Sequence, residues 1–308
     1  MKKMFLYCLI IISSLILFIF PSWCADGVKL GINLLLYSLL PAILPFMLFS
    51  NFLIKSNISH LAGGIVHPLF SKLFKTSKNG SYALIMGFLC GYPLGAKIIN
   101  DLILDKKISR EEGNYLFKFI NNPSPAFIQG YVIASVCAPE SLRLPALLIT
   151  YLPGIIIGLA AGRRQSGFTS IKNSDDNANV PVSKIVDDSI FDAFATTTRL
   201  AGYLIIFSII STLVVKIPGL PYFSKNIIVC MLEITSGIYY ISVTNLPIVI
   251  KLFFSILCSI AGGFSILFQI NSVTAKSGLD IVECIKYKLL SLVLCTGLFF
   301  IYLAAWGC

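Results

Sequence analysis

The chain alternates long apolar runs with short polar breaks. Apolar stretches fall at 4–23, 30–54, 80–99, 113–137, 142–162, 189–215, 226–243, 247–271 and 284–306. Most approach or exceed the roughly 20 residues that an α-helix needs to cross a hydrocarbon core. They predict an all-α polytopic integral membrane protein. Leu61 to Phe74 is a weaker run that reads as interfacial, and the polar stretch from Arg163 to Asp188, rich in Ser, Asn, Asp and Lys, reads as a linker between two halves.

Two runs are odd as spans. Ser81 to Asn100 is interrupted by Gly91, Pro93 and Gly95, and Ile227 to Ile241 is short and carries Glu233, Thr235, Ser236 and Gly237 at its middle. Backbone left unwound at membrane depth survives only where protein or an aqueous cavity surrounds it. Both runs are therefore expected to be re-entrant helical hairpins.

Charge supports that topology. With the N-terminus inside, the basic stretches Lys55 to Lys78, Lys106 to Arg110, Arg163 to Lys184 and Lys276 to Lys288 share the cytoplasmic side, and only Lys29, Arg143, Lys216 and Lys225 face out. This is the asymmetry of the positive-inside rule. It yields four parts: an N-terminal transmembrane helix at 1–29, a first repeat at 30–162, a cytoplasmic linker at 163–188 and a second repeat at 189–308. Each repeat reads span, hairpin, span, span, and the two enter the membrane from opposite sides. Such inverted repeats are common in secondary transporters, whose site lies at matching interrupted segments. The first segment, Met4 to Phe20 after Lys2 and Lys3, could be a cleaved leader, but Ser22-Trp23-Cys24 is a poor cleavage site and an uncleaved helix is favoured.

Composition agrees. Of 308 residues 56% are hydrophobic and 12% charged, and mean hydropathy is +0.86. A soluble domain carries about twice that charged fraction. The net charge of +10 sits in short loops, not on a phosphate-binding stripe, so nucleic acid is not expected as a partner. Nine scattered cysteines without a CxxC, and two isolated histidines, His60 and His67, predict neither disulfides nor a metal. No cofactor is expected. A hydrolase elbow, phosphate loop, HExxH or dinucleotide fingerprint is absent from the sequence, and an enzyme is not the expectation.

Four motifs carry candidate chemistry. In Gly87-Phe-Leu-Cys-Gly-Tyr92-Pro93-Leu-Gly95-Ala-Lys97, broken backbone would offer amides to an anion and Lys97 a full positive charge. Asn121-Asn122-Pro123-Ser124-Pro125 cannot continue a helix and predicts a discontinuous span. Glu233, with Thr235 and Ser236, places a carboxylate within the membrane, where it is costly and functional by default, unless it forms a static pair with Lys97 or Arg199. Ala261-Gly262-Gly263-Phe264-Ser265, followed by Gln269, breaks the matching span of the second half. The residues expected to bind a solute are Tyr92, Pro93, Gly95, Lys97, Asn121, Asn122, Ser124, Glu233, Thr235, Ser236, Gly263, Ser265 and Gln269. Alone, these point to a carrier of a small polar or anionic solute.

The segments GFLCGYPLGAKI (87–98), NNPSPAF (121–127), LEITSGI (232–238) and GGFSILFQ (262–269), in this order, resemble the YlbJ family of sporulation integral membrane proteins. That family lies within the nucleoside-recognition, or Gate-domain, group, which is related to concentrative nucleoside transporters. The resemblance implies movement of dipicolinic acid, a flat aromatic dianion, across the outer forespore membrane. Stacking would fall to Tyr92 or Phe127, and carboxylate recognition to Lys97 and Arg199. The alternatives are a ligand-sensing membrane scaffold of spore formation or a carrier of nucleoside-like solutes. The expected partners are a small-molecule solute and the lipid bilayer; a homo-oligomer and a coupling proton or sodium ion are left open.

Overall fold

A computed structural model describes residues 14–163, 167–169 and 181–306. Much of the first apolar segment and of the central linker lies outside the described residues. Among those described, all regular structure is helical, as expected for an all-α polytopic membrane protein.

Helix α1 (Pro21–Leu34) runs through a wide turn at Leu35–Leu39 into α2 (Leu40–Lys55). The sequence placed residues up to Lys29 with a separate first helix. Instead the rod begins at Pro21, because proline is tolerated in the first turn, where its missing N–H would be unpaired anyway. Gly27 and Gly31, one turn apart, let it close on the long helix α9 (Val182–Lys216); a Cβ there would stand 2.6 Å from Ile209 Cα and 2.9 Å from Ile205 Cα. Asp26 and Lys216 pair at 2.5 Å at the shared end. Helix α9 starts earlier than its apolar pattern, taking residues 182–188 from the expected linker. Its 35 residues, about 52 Å of helix, exceed the hydrocarbon thickness, which accommodates Lys184, Asp187, Asp188 and Asp192 in its first turns.

Helix α3 (Ser59–Phe74) leads to α4 (Lys78–Cys90) and α5 (Leu94–Leu104). The last two form a hairpin. Gly87 and Gly95, equidistant from the turn, nearly touch, with a Cβ on Gly95 only 3.0 Å from Gly87 Cα. Helix α6 (Arg110–Phe117) ends before the Asn-Asn-Pro segment, and the chain resumes as α7 (Pro125–Phe127) and a widened turn at Ile128–Ile133. Ser77 and Ser109 cap α4 and α6 by accepting from Gly80 N and Glu112 N, each at 3.0 Å. Glu112 also binds the foot of the hairpin, accepting from Ser77 N at 2.7 Å.

Helix α8 (Arg143–Gly162) and α9 lead to a second hairpin, α10 (Tyr222–Leu232) and α11 (Ile234–Ser242), where Gly237 lies against Cys230. Helices α12 (Ile248–Ala261) and α13 (Gly263–Thr274) meet at Gly262 and Gly263, both with positive φ. Helix α14 (Ile281–Trp306) closes the fold against α8 and α12. Four stretches, Glu140–Gly162, Val182–Lys216, Ile248–Thr274 and Ile281–Ala305, are long and apolar enough to cross a membrane. Lys288, which the charge count assigned to a loop, lies within the last of these.

Candidate functional site

The four motifs converge, and backbone chemistry explains how. Gly91 at the tip of the first hairpin has φ +70°, and a Cβ there would lie 2.4 Å from Ser124 N, so only glycine lets the tip reach the first helix break. The next amide, Tyr92 N, donates to Asn122 O at 2.9 Å. Gly263 plays a comparable part in the other half. A Cβ on it would stand 3.0 Å from Met231 O and 3.2 Å from Leu232 O, carbonyls at the end of α10.

Breaking a helix frees carbonyls that must find donors when buried. At the first break the protein supplies them. Asn121 O accepts from Lys288 Nζ at 3.0 Å, Asn122 O from Tyr92 N, and Pro123 O from Tyr151 Oη at 2.7 Å. The side chains of Asn121 and Asn122 turn back to cap α6, donating to Phe117 O (3.0 Å) and Phe119 O (2.8 Å). At the second break Tyr92 Oη donates to Ser259 O at 2.8 Å and Lys288 Nζ to Ile260 O at 3.0 Å. A further stitch joins the halves, Tyr131 Oη donating to Thr235 O at 2.8 Å.

Glu233 does not pair with Lys97 or Arg199 in this structure. It is the N-cap of α11: its carboxylate accepts from Thr235 N (3.0 Å), Ser236 N (2.8 Å) and Thr235 Oγ1 (2.5 Å). A carboxylate only 2% exposed is held by the positive end of the helix it starts.

These pieces enclose a chamber of about 80 Å³ lined by Tyr92, Ser124, Phe127, Glu233, Thr235 and Gln269, with Ile43, Leu204 and Ile266 among its apolar walls. Five of the residues expected from sequence to bind a solute thus share one cavity. Gln269 Nε2 donates to Ser265 Oγ at 3.1 Å, while its buried Oε1 has no partner among the described residues. Ser124 Oγ is partly engaged as the cap of α7, accepting from Phe127 N. Pro93, Gly95, Asn121, Asn122, Ser236, Gly263 and Ser265 do not line the chamber, although Ser236 N donates to Glu233 and Ser265 Oγ accepts from Gln269.

Lys97 and Arg199 stand elsewhere. They line a second cavity, of about 410 Å³, with Asn51, Lys55, Asn100, Asp101, Asp105, Asp192, Ser272 and Lys276. Lys97 pairs with Asp101 at 2.5 Å and donates to Asn51 Oδ1 at 2.9 Å. Lys55 pairs with Asp192 at 2.7 Å. Arg199 donates to Ser272 O at 3.2 Å, and neither it nor Lys276 meets a carboxylate among the described residues. The vestibule therefore offers two cations without a carboxylate partner.

Both cavities touch helices α2, α9 and α13; the vestibule also touches α5, which starts two residues after the chamber residue Tyr92, and these four helices contact one another around a ring. Between the chamber-lining and vestibule-lining positions of each segment, Ile43 to Asn51, Tyr92 to Lys97, Leu204 to Arg199 and Gln269 to Ser272, lies a buried apolar side chain: Met47, Leu94, Leu200 and Ile270, each at most 1% exposed. Sequence reasoning missed Tyr131, Tyr151 and Lys288. The tyrosines look like ordinary apolar-face residues, but Lys288 gave a usable signal as a charge seven residues inside a span-length apolar helix.

Broken helices and paired hairpins around a buried chamber mark an integral membrane protein, and residues 36–138, from the end of α1 through the first hairpin and first break, match the family model described as Gate, nucleoside recognition. Over 293 aligned residues, covering 83% of this chain and 72% of the relative, the protein is 25% identical to the sporulation integral membrane protein YlbJ of Bacillus subtilis (strain 168). No solved structure matches it.

Proposed function

We propose that this protein is a carrier of a small anionic solute, dipicolinate, and that it works in the outer forespore membrane during sporulation. The observation that carries the reading is that a charged vestibule and a mainly apolar chamber holding a few polar groups share helices α2, α9 and α13, with the buried apolar side chains Met47, Leu94, Leu200 and Ile270 between their lining positions. A dianion entering the vestibule meets Arg199 and Lys276; Lys97, already bound to Asp101, contributes less. The chamber is smaller than the roughly 300 Å³ of the smallest usual ligand sites, so a flat diacid requires the side chains of Met47, Leu94, Leu200 and Ile270 to part. Two inverted repeats, 30–162 and 189–308, with re-entrant hairpins that rock or slide around the chamber, would supply that motion. Sporulation enters through the similarity to YlbJ.

The test is uptake of labelled dipicolinate into proteoliposomes. Saturable uptake that falls in Arg199→Ala supports the carrier. Binding without flux would point to a sensing scaffold, and neither binding nor flux rejects dipicolinate as the solute. In the cell, loss of the protein should leave spores poor in dipicolinate; a normal content rejects the physiological role.

One observation favours a second solute class. The chamber itself offers acceptors, the Glu233 carboxylate and Gln269 Oε1, which suit a neutral ligand rich in N–H and O–H groups, such as a nucleoside. Competition by uridine against dipicolinate separates the two readings.

A further inference from the structure

Lys288 is not needed to explain the chamber, yet it sits at the junction of both helix breaks. It is 8% exposed on α14, two turns from the helix start. Its ammonium donates to Asn121 O, in the first break, and to Ile260 O, in the last turn of α12 at the second. It also stands 5.0 Å from the centroid of the Tyr92 ring. No carboxylate pairs with it among the described residues. Gly262 leaves the approach open, since even a Cβ there would come within 3.4 Å of Nζ.

Carbonyl oxygens from unwound backbone and from the negative end of a half-helix, beside an aromatic face, form an environment that attracts a monovalent cation. Carriers built on broken helices use such carbonyls to take up a coupling ion. Here an ammonium group fills the position. It has three donors, two of them met by carbonyls, and it is covalently attached, so it cannot be released.

We propose that Lys288 is a tethered cation standing where an exchangeable alkali ion would otherwise join the two breaks, so that the protein closes this junction without sodium or potassium. The consequence for flux, a cycle independent of both ions, rests on the carrier reading; the structural claim does not.

The experiment compares thermal unfolding of the full chain in detergent in NaCl, KCl and N-methyl-D-glucamine chloride at equal ionic strength. The wild type should show one Tm in all three. Lys288→Ala, which leaves room for an ion, should lose several degrees in the organic cation and recover part of the loss saturably with Na⁺ or K⁺. Lys288→Arg should stay close to the wild type. A wild-type Tm that climbs saturably with an alkali ion overturns the proposal, and so does a Lys288→Ala loss that no alkali ion repairs. Should Lys288→Ala give no folded protein, Lys288→Gln decides: a neutral donor as stable as the wild type means that charge is not required. Uptake by wild-type proteoliposomes should be equal in Na⁺ and N-methyl-D-glucamine. Absence of any uptake counts against the carrier reading and leaves the Tm comparison intact.

Discussion

The Tyr92 hydroxyl donates to the carbonyl of Ser259 across 2.8 Å, bridging 167 positions of sequence. It ties the tip of the first hairpin to the second helix break, and the amide of the same residue holds the first break through Asn122 O. One residue thus fixes both breaks. Tyr92→Phe keeps the ring and removes the donor, leaving a buried carbonyl short of a partner. A loss of about 1–3 kcal/mol is expected. Thermal unfolding checks it; an unchanged Tm would show that Ser259 O has another donor. A double mutant with Tyr131→Phe, which removes the bond to Thr235 O, should lose more than either single variant.

Gly91 and Gly130 separate two uses of glycine. Gly91 combines φ +70° with an approach that puts a Cβ 2.4 Å from Ser124 N, whereas nothing lies within 4 Å of a Cβ on Gly130. Gly91→Ala should cost about 3 kcal/mol or more through strain and displacement of the first break. Gly130→Ala should be neutral or slightly stabilising. Yield of monodisperse protein and Tm report both; equal behaviour of the two variants would contradict the packing.

Much of this was legible in the sequence because the strongest signals were local. Helix breakers flanked by apolar runs at Gly91-Tyr92-Pro93, Asn121 to Pro125 and Gly262-Gly263 marked the turns and interruptions, and the structure breaks its helices there. Of the chamber residues, Tyr92, Ser124 and Gln269 lie in or just beyond those motifs, and Glu233 and Thr235 in the stretch marked by its intramembrane carboxylate. What stayed hidden depended on partners distant in sequence. Nothing near Asn121 says that its carbonyl is met by Lys288, or that its amide is spent on Phe117 O. Lys97 reads as a free cation in the apolar pattern, but Asp101, one helical turn on, pairs with it. The sequence offers Glu233 as a solute-binding carboxylate or half of an ion pair; the capping role follows only once a helix is seen to begin at Ile234.

The Glu233 cap gives a prediction that separates stability from transport. Glu233→Ala removes an acceptor of three hydrogen bonds at the start of α11. Loss of an N-cap costs about 1–2 kcal/mol. Glu233→Asp keeps a carboxylate and a good capping residue and should recover most of that loss. Hydrogen exchange at Thr235 and Ser236 should rise in the alanine variant and stay near the wild-type level in the aspartate one. If both variants retain stability but lose uptake, capping is not the main work of Glu233.

Glu112, outside the long apolar spans, makes stability pH-dependent. Burial pushes its carboxyl from 4.5 up to about 7, against the opposing pull of the Ser77 amide. Between those values the folded state keeps a proton that the unfolded state has lost. Its contribution to stability is therefore full below about pH 4.5 and is lost as pH rises through about 7, a change of roughly 3 kcal/mol. Tm should be higher at pH 5.5 than at pH 8. Glu112→Gln, which keeps an acceptor for Ser77 N and does not titrate, should flatten this profile. A wild-type Tm that increases over the same range would reverse the sign.

Arg199 is where the carrier reading meets its sharpest kinetic test. It lines the vestibule, engages Ser272 O and has no carboxylate beside it among the described residues. A charge-assisted contact to a carboxylate contributes about 1.4 kcal/mol or more, so Arg199→Ala should raise KM for dipicolinate uptake about tenfold or more. Arg199→Lys, which retains charge without the planar fork, should fall between. Added salt should raise the wild-type KM and narrow the gap to the alanine variant, because the vestibule is open to water and its charges are screened. Lys72→Ala, a change in α3 outside both cavities, should leave KM unchanged. A KM insensitive to both Arg199 and salt would move dianion recognition away from the vestibule and favour the neutral ligand that Glu233 and Gln269 suit.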